Sequence, residues 1–176
     1  MDLNSRPLAP FPYDLLPEVP TFSLTSQDFD ADSPLPHKLL ANGDNISPQL
    51  AWTGFPQETE SFLLTCFDPD APTPSGFWHW CVQDIPTEIT NFDSGWGESD
   101  LLLPSTAFHS VNDAGTAAYY GPNPPENDRP HRYVFAVHAL SVPTLELDDE
   151  TSIAAVCFNA LFHTIARATL TGTYQA

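Results

Sequence analysis

Apolar positions along this chain fall mostly into short runs punctuated by proline, glycine and asparagine. Five runs, at 21–24, 61–67, 79–85, 132–140 and 169–174, are rich in aromatic and β-branched residues and read as strands. The stretch 42–52 is turn-rich and leads into the first core strands. One segment carries a helical period instead: Ile153, Val156, Cys157, Ala160 and Leu161 recur at the spacing of one helix face. Asp148, Asp149, Glu150 and Thr151 supply acids and a cap near its start, and His163 and Arg167 fall in its last turns, where cations suit the dipole. Phe158, Phe162 and Ile165 widen the stripe, which predicts a helix covered on two sides. The pattern predicts a mainly β protein, antiparallel and loop-rich, with few helices.

Chemistry enters where two of the predicted strands meet proline-rich loops. The apolar run ending Thr65-Cys66-Phe67 passes into Asp68-Pro69-Asp70-Ala71-Pro72-Thr73-Pro74-Ser75-Gly76 and resumes at Phe77-Trp78-His79-Trp80. Prolines fix φ and remove donors, so this loop holds few conformations and sets an acid at one rim and an imidazole at the other. Downstream, Gly121-Pro122-Asn123-Pro124-Pro125 leads through Glu126-Asn127-Asp128-Arg129 to Pro130-His131-Arg132-Tyr133 and another strand. Alternation puts His131 and Tyr133 on one face of that strand and Arg132 on the other. The same argument gives His79 a face of its own between Trp78 and Trp80.

Composition narrows the classes. A chain of 176 residues with 41% hydrophobic content is long enough for one domain with a real core. A proline-rich arm, residues 1–20, precedes it and is expected to pack along the surface of the domain at 21–176 rather than to serve as a polyproline ligand. The formal charge is −18, because Lys and Arg number only five. That argues against nucleic acid and against stable association with anionic membranes as partners. The start of the chain lacks the basic-then-apolar pattern of a signal peptide, so the cytoplasm is expected. Cys66, Cys81 and Cys157 read as buried free thiols.

In their order and residues the two loops resemble the signatures of the phosphatidylethanolamine-binding, or Raf-kinase-inhibitor-like, family. The segment Gly43-Asp44-Asn45-Ile46-Ser47-Pro48-Gln49-Leu50-Ala51-Trp52 and the ending Leu170-Thr171-Gly172-Thr173-Tyr174 are similar to its bacterial branch. The resemblance implies a large central antiparallel sheet flanked by a smaller one, with one main helix near the C-terminus. It implies that Asp68 stands at the wall of a small anion pocket, with Ala71 beside it, and that Asp70 closes a turn through its side chain. It also implies that His79, His131 and Tyr133 are pocket residues. By the same resemblance Pro124 and Pro125 are expected to form the opposite lip, and Trp78 to help wall the pocket. Arg132, on the far strand face, is assigned a structural ion pair with Asp70. An Asp68 beside either histidine would favour an imidazolium, and the imidazolium and the Tyr133 hydroxyl would donate to ligand oxygens. The acids of the 126–129 loop, Glu126 and Asp128, depart from the family pattern; beside the pocket they would disfavour anions or meet the ammonium of a zwitterion.

The expected function is therefore non-enzymatic binding of a phosphate-bearing or other anionic small molecule, phosphoethanolamine-like, in a regulatory role and without a cofactor. The alternative is a protein-interaction regulator of the kinase- or serine-protease-inhibiting kind; the resemblance also allows a homodimer. Less favoured is a metal-dependent hydrolase built on Asp68, His79 and His131. Of the other histidines, His37 and His109 read as surface residues and His138 as a sheet-packing residue.

Overall fold

The structure, a computed structural model, describes residues 2–104 and 106–176. Its strands are β1 (Ser23–Thr25), β2 (Leu50–Thr53), β3 (Ser61–Asp68), β4 (Phe77–Pro86), β5 (Asn91–Phe92), β6 (Phe108–His109), β7 (His131–Leu140) and β8 (Thr164–Tyr174), with one α-helix, α1 (Ile153–Leu161). They form a five-stranded sheet in the order β6-β4-β3-β7-β8 and a three-stranded sheet in the order β1-β2-β5. Every strand pairing in both sheets is antiparallel.

Strand β3 is central, bonded to β4 on one edge and β7 on the other, and all its residues but Phe67 are buried. A strand covered on both faces needs a continuous apolar run rather than an alternating one, which explains Phe62-Leu63-Leu64. The main core lies on one face of the large sheet, where Phe62, Leu64, Trp80, Phe135 and Val137 meet Trp52 and Phe92 of the smaller sheet. On the opposite face Ile153, Val156 and Ala160 of α1 cover Leu63, Cys81 and Leu140.

The helix corrects the sequence reading in three ways. Its N-cap is Ser152, whose hydroxyl accepts from the Ala155 N–H, rather than Thr151. It ends at Leu161 instead of reaching Arg167, which lies in β8 opposite His138. Thr164, Ile165, Thr169, Thr171 and Thr173 are β-branched, and pairing with the open edge of β7 satisfies their backbone groups in the ladder. Nor is the helix covered on two sides: Phe158 and Phe162 touch edge to face yet are 63% and 69% exposed. Cys66 and Cys81 are buried free thiols, while Cys157 is only half-buried.

The N-terminal arm lies against the domain, and all four arginines work at that seam. The Arg6 guanidinium donates to the Asp70 carbonyl at 2.8 Å and to Asp128 at 3.0 Å. Arg129 donates to the carbonyls of Asn4 and Arg6, and Arg132 to that of Ala9. The Arg167 guanidinium sits 4.4 Å over the ring of Tyr13, and its backbone N–H donates to the Pro20 carbonyl. The remaining cation, Lys38, pairs with Asp28. Among the described residues no helix is long and apolar enough to cross a membrane.

Candidate functional site

Strand β3 ends at Asp68, and the side chain of that residue folds the loop after it. Asp68 Oδ1 accepts from the backbone N–H groups of Asp70 at 2.8 Å and Ala71 at 3.0 Å, an Asx turn that brings Ala71–Thr73 back over the strand end. The turn role expected of Asp70 thus belongs to Asp68. Asp70 instead receives Arg132, through Nε at 2.7 Å and Nη2 at 2.8 Å, together with the Arg132 backbone N–H. Burial pushes the Asp70 carboxyl up, but the Arg132 bonds outweigh it and hold the group below its ordinary range. The loop closes at Gly76, whose φ is +68° and where a Cβ would lie 2.3 Å from the Phe67 ring.

His79 reaches the site through a β-bulge. Cys66 pairs with Trp80 and Phe67 with Trp78, so His79 is the extra residue of β4. Alternation fails there: Trp78 packs beside the helix-covered cluster, whereas Trp80 enters the main core together with Tyr133. Trp78 is accordingly not a pocket wall. The His79 ring meets Tyr133 edge to face at 5.1 Å and stacks on Tyr120 at 5.9 Å. Its Nδ1 lies 2.7 Å from the Tyr120 carbonyl, an acceptor, so Nδ1 carries a proton. Burial lowers the His79 pKa, against the opposing pull of that carbonyl and of Asp68 and Asp113.

His131, at the start of β7, is held at both nitrogens. Nδ1 lies 2.7 Å from Asp68 Oδ2 and Nε2 lies 3.1 Å from Asp128 Oδ2. The imidazolium, with two N–H donors, is the ring form that satisfies both carboxylates. Burial depresses its pKa, but Asp68 and then Asp128 outweigh that and raise it. With both donors engaged, His131 has no N–H left for a ligand; it serves to neutralise Asp68. Asp128 is not a surface acid repelling ligands either. It is 1% exposed and bonded to His131, Arg6 and the Arg129 N–H, and despite burial these hold its pKa below the ordinary value. Glu126 is the exposed acid of that loop.

These groups surround a cavity of about 150 Å³ lined by Asp68, Ala71, Pro72, Thr73, Phe77, His79, Tyr120, Asn123, Pro124, Pro125, His131 and Tyr133. Of the residues expected at the pocket, only Trp78 lies elsewhere. Pro72, Thr73, Phe77, Tyr120 and Asn123 line it as well, without being singled out by the sequence. Tyr120 comes from a loop without periodicity, and its one sequence signal is its position two residues before Pro122 of the second proline-rich segment. Tyr133 is the decisive member. Its hydroxyl is buried with no hydrogen-bond partner among the described residues, and burial, then Asp68, push its pKa up, so it remains a donor. Elsewhere, His109, expected at the surface, is fully buried with Nδ1 2.6 Å from Asp100. His138 packs in the sheet against Tyr13 and Arg167, away from the cavity. Among the described residues no three His, Cys, Asp or Glu side chains are grouped so as to hold a metal ion.

The family model described as phosphatidylethanolamine-binding protein matches residues 25–175. The protein YbhB of Escherichia coli strain K12 is 40% identical over 157 residues, covering 86% of this chain and 99% of the relative. Among solved structures, that of Escherichia coli YbcL superposes with a TM-score of 0.85 at 37% identity, over 88% of this chain and 98% of the other. A Chlamydia trachomatis homolog, CT736, superposes with a TM-score of 0.77 at 32% identity, over 89% and 98%. With both sheets, both proline-rich loops and nearly the whole domain accounted for, the chain belongs to the phosphatidylethanolamine-binding protein family.

Proposed function

We propose that this protein is a non-enzymatic binding protein whose cavity takes a compact phosphate-bearing or similar anionic group, in a regulatory role. The observation that carries the reading is the Tyr133 hydroxyl, a buried donor with no partner among the described residues, which lines the cavity beside His79. A charged ligand oxygen accepting from that hydroxyl would gain roughly 1.5–3 kcal/mol net. His79 Nε2 adds a second polar contact. It donates to a full anion when the ring is protonated, and accepts from the O–H of a monoprotonated phosphate when it is not.

Size and charge support the same ligand class. About 150 Å³ suits a single tetrahedral headgroup, well below the roughly 300–1,000 Å³ of ordinary drug-sized sites. The cavity floor is electrically balanced: Asp68 and Asp128 are matched by His131 and Arg6, and Asp70 by Arg132. An anion entering there meets no uncompensated carboxylate. The binding reading is favoured over catalysis because, among the described residues, no base is bonded to the Tyr133 hydroxyl and both nitrogens of His131 are engaged.

Calorimetric titration with inorganic phosphate and with phosphoethanolamine at pH 6 and pH 8 tests this. Saturable binding that is lost in Tyr133→Phe and His79→Ala is the expected result. Absence of binding of both compounds at both pH values refutes the reading.

A further inference from the structure

The residue that completes the electrostatics of the cavity lies outside the matched family segment. That match begins at residue 25, and Arg6 belongs to the arm before it. We infer that Arg6 is a positioning residue for the ligand site, acting through Asp128 and His131 on Asp68, so that docking of the N-terminal arm and anion binding are linked. The inference rests on the anion-binding reading above and extends it to a control point on a different segment.

The path is continuous. Arg6 Nη2 lies 3.0 Å from Asp128 Oδ2, the same oxygen lies 3.1 Å from His131 Nε2, and His131 Nδ1 lies 2.7 Å from Asp68 Oδ2. Asp68, His131 and Asp128 are each no more than 3% exposed. Their charges therefore act through a medium that screens poorly. Without Arg6 the three would carry a net negative charge directly under the cavity. With it they are neutral. Asp128 Oδ2 is shared between Arg6 and His131, so Arg6 also sets how strongly Asp128 holds the imidazolium.

Arg6 is placed by the rest of the arm. It donates to the Asp70 carbonyl, inside the turn that Asp68 folds, and its own carbonyl and that of Asn4 are held by Arg129. The other groups around His131 do not duplicate it. Asp70 is matched by Arg132, Tyr133 is a neutral phenol, and His79 is kept from ready protonation by burial. Among the described residues, Arg6 is the one guanidinium bonded to the Asp128 carboxylate, since Arg129 reaches it only through its backbone N–H.

The sign of each effect follows from charge. Removing the guanidinium frees Asp128 for His131 and raises the pKa of that ring. It also leaves one uncompensated negative charge, which weakens anion binding by about tenfold at an effective dielectric near 20. Three variants separate this from mere loss of the arm: Arg6→Met, Arg6→Lys, and the double variant Arg6→Met/Asp128→Asn, which restores neutrality without restoring the arm contact.

The His131 titration is followed by NMR without ligand, and phosphate affinity by calorimetry. The expected result is a raised His131 pKa in Arg6→Met, phosphate affinity lowered about tenfold, and recovery in both other variants. A His131 pKa unchanged in a folded Arg6→Met overturns the inference. So does phosphate affinity that stays low in the double variant, since undocking of the arm would then explain the loss. If the wild type binds no phosphate but the His131 pKa moves as stated, the electrostatic role of Arg6 stands and the anion-binding reading falls.

Discussion

His79 donates from Nδ1 to the Tyr120 carbonyl at 2.7 Å, so Nε2 is the unprotonated nitrogen of the neutral ring, and the ring lines the cavity. For the anion binding proposed above, the consequence is a pH sense. Burial depresses the His79 pKa, so the donor form at Nε2 is populated only as pH falls below the ordinary histidine value. Sulfate has no proton to share across the neutral range and isolates this effect. Its affinity is expected to rise as pH falls from 8 to 5.5, and the rise to vanish in His79→Gln, as read by calorimetry.

Tyr133→Phe separates binding from folding. The hydroxyl makes no hydrogen bond within the described protein, so its removal costs no protein contact. Urea unfolding of the unliganded variant is expected to match the wild type or to gain up to about 1 kcal/mol, whereas phosphate binding loses roughly 1.5–3 kcal/mol. A destabilisation above about 1 kcal/mol would show that the hydroxyl already has a structural partner.

His131 makes stability depend on pH on the alkaline side. Its folded pKa is raised, by Asp68 and Asp128 against burial, above the unfolded value of about 6.5. The stabilisation is therefore complete below about pH 6.5 and is lost as pH rises through the folded pKa. Denaturation midpoints across pH 6 to 10 are expected to fall. In Asp128→Asn, with one carboxylate fewer holding the proton, the fall begins at lower pH.

His138 acts in the opposite direction. Burial, aided by Arg167, pushes its pKa down to about 3. The unfolded chain takes up a proton near pH 6.5 that the folded chain refuses, so stability falls as pH drops from about 6.5 towards 3. The slope attributable to one such group is at most about 1.4 kcal/mol per pH unit. His138→Gln, which keeps an acceptor for Arg167 Nε, is expected to flatten the acid limb in circular-dichroism titrations.

What the residues revealed beforehand divides along the range of the interactions. The runs around Leu64 and Val134 announce strands because strands buried on both faces must be apolar throughout, and Asp68, His79, His131 and Tyr133 are marked by the loops beside them. The bulge at His79 is a property of pairing between β3 and β4, so Trp78 and Trp80 could not be assigned their faces from alternation alone. Phe162 and Ile165 continue the helical period towards Arg167, but the edge of β7, distant in sequence, decides otherwise. Asp128 looked like a free acid because its partner Arg6 lies 122 positions away. Tyr120 gave no periodic signal because its loop is held by contacts to β4, through the His79 backbone and ring.

The gathering of the four arginines along the arm has a kinetic side. With the four arginines on one seam, the net charge of −18 is spread over the remaining surface, and an anion of the proposed kind would cross a repulsive field before reaching the balanced cavity. Encounter will be slow in dilute buffer and will quicken as salt shortens the reach of that field, to about 8 Å at physiological ionic strength. Added electrolyte, which ordinarily loosens the grip of a protein on an anion, would here open the way in for the proposed ligand.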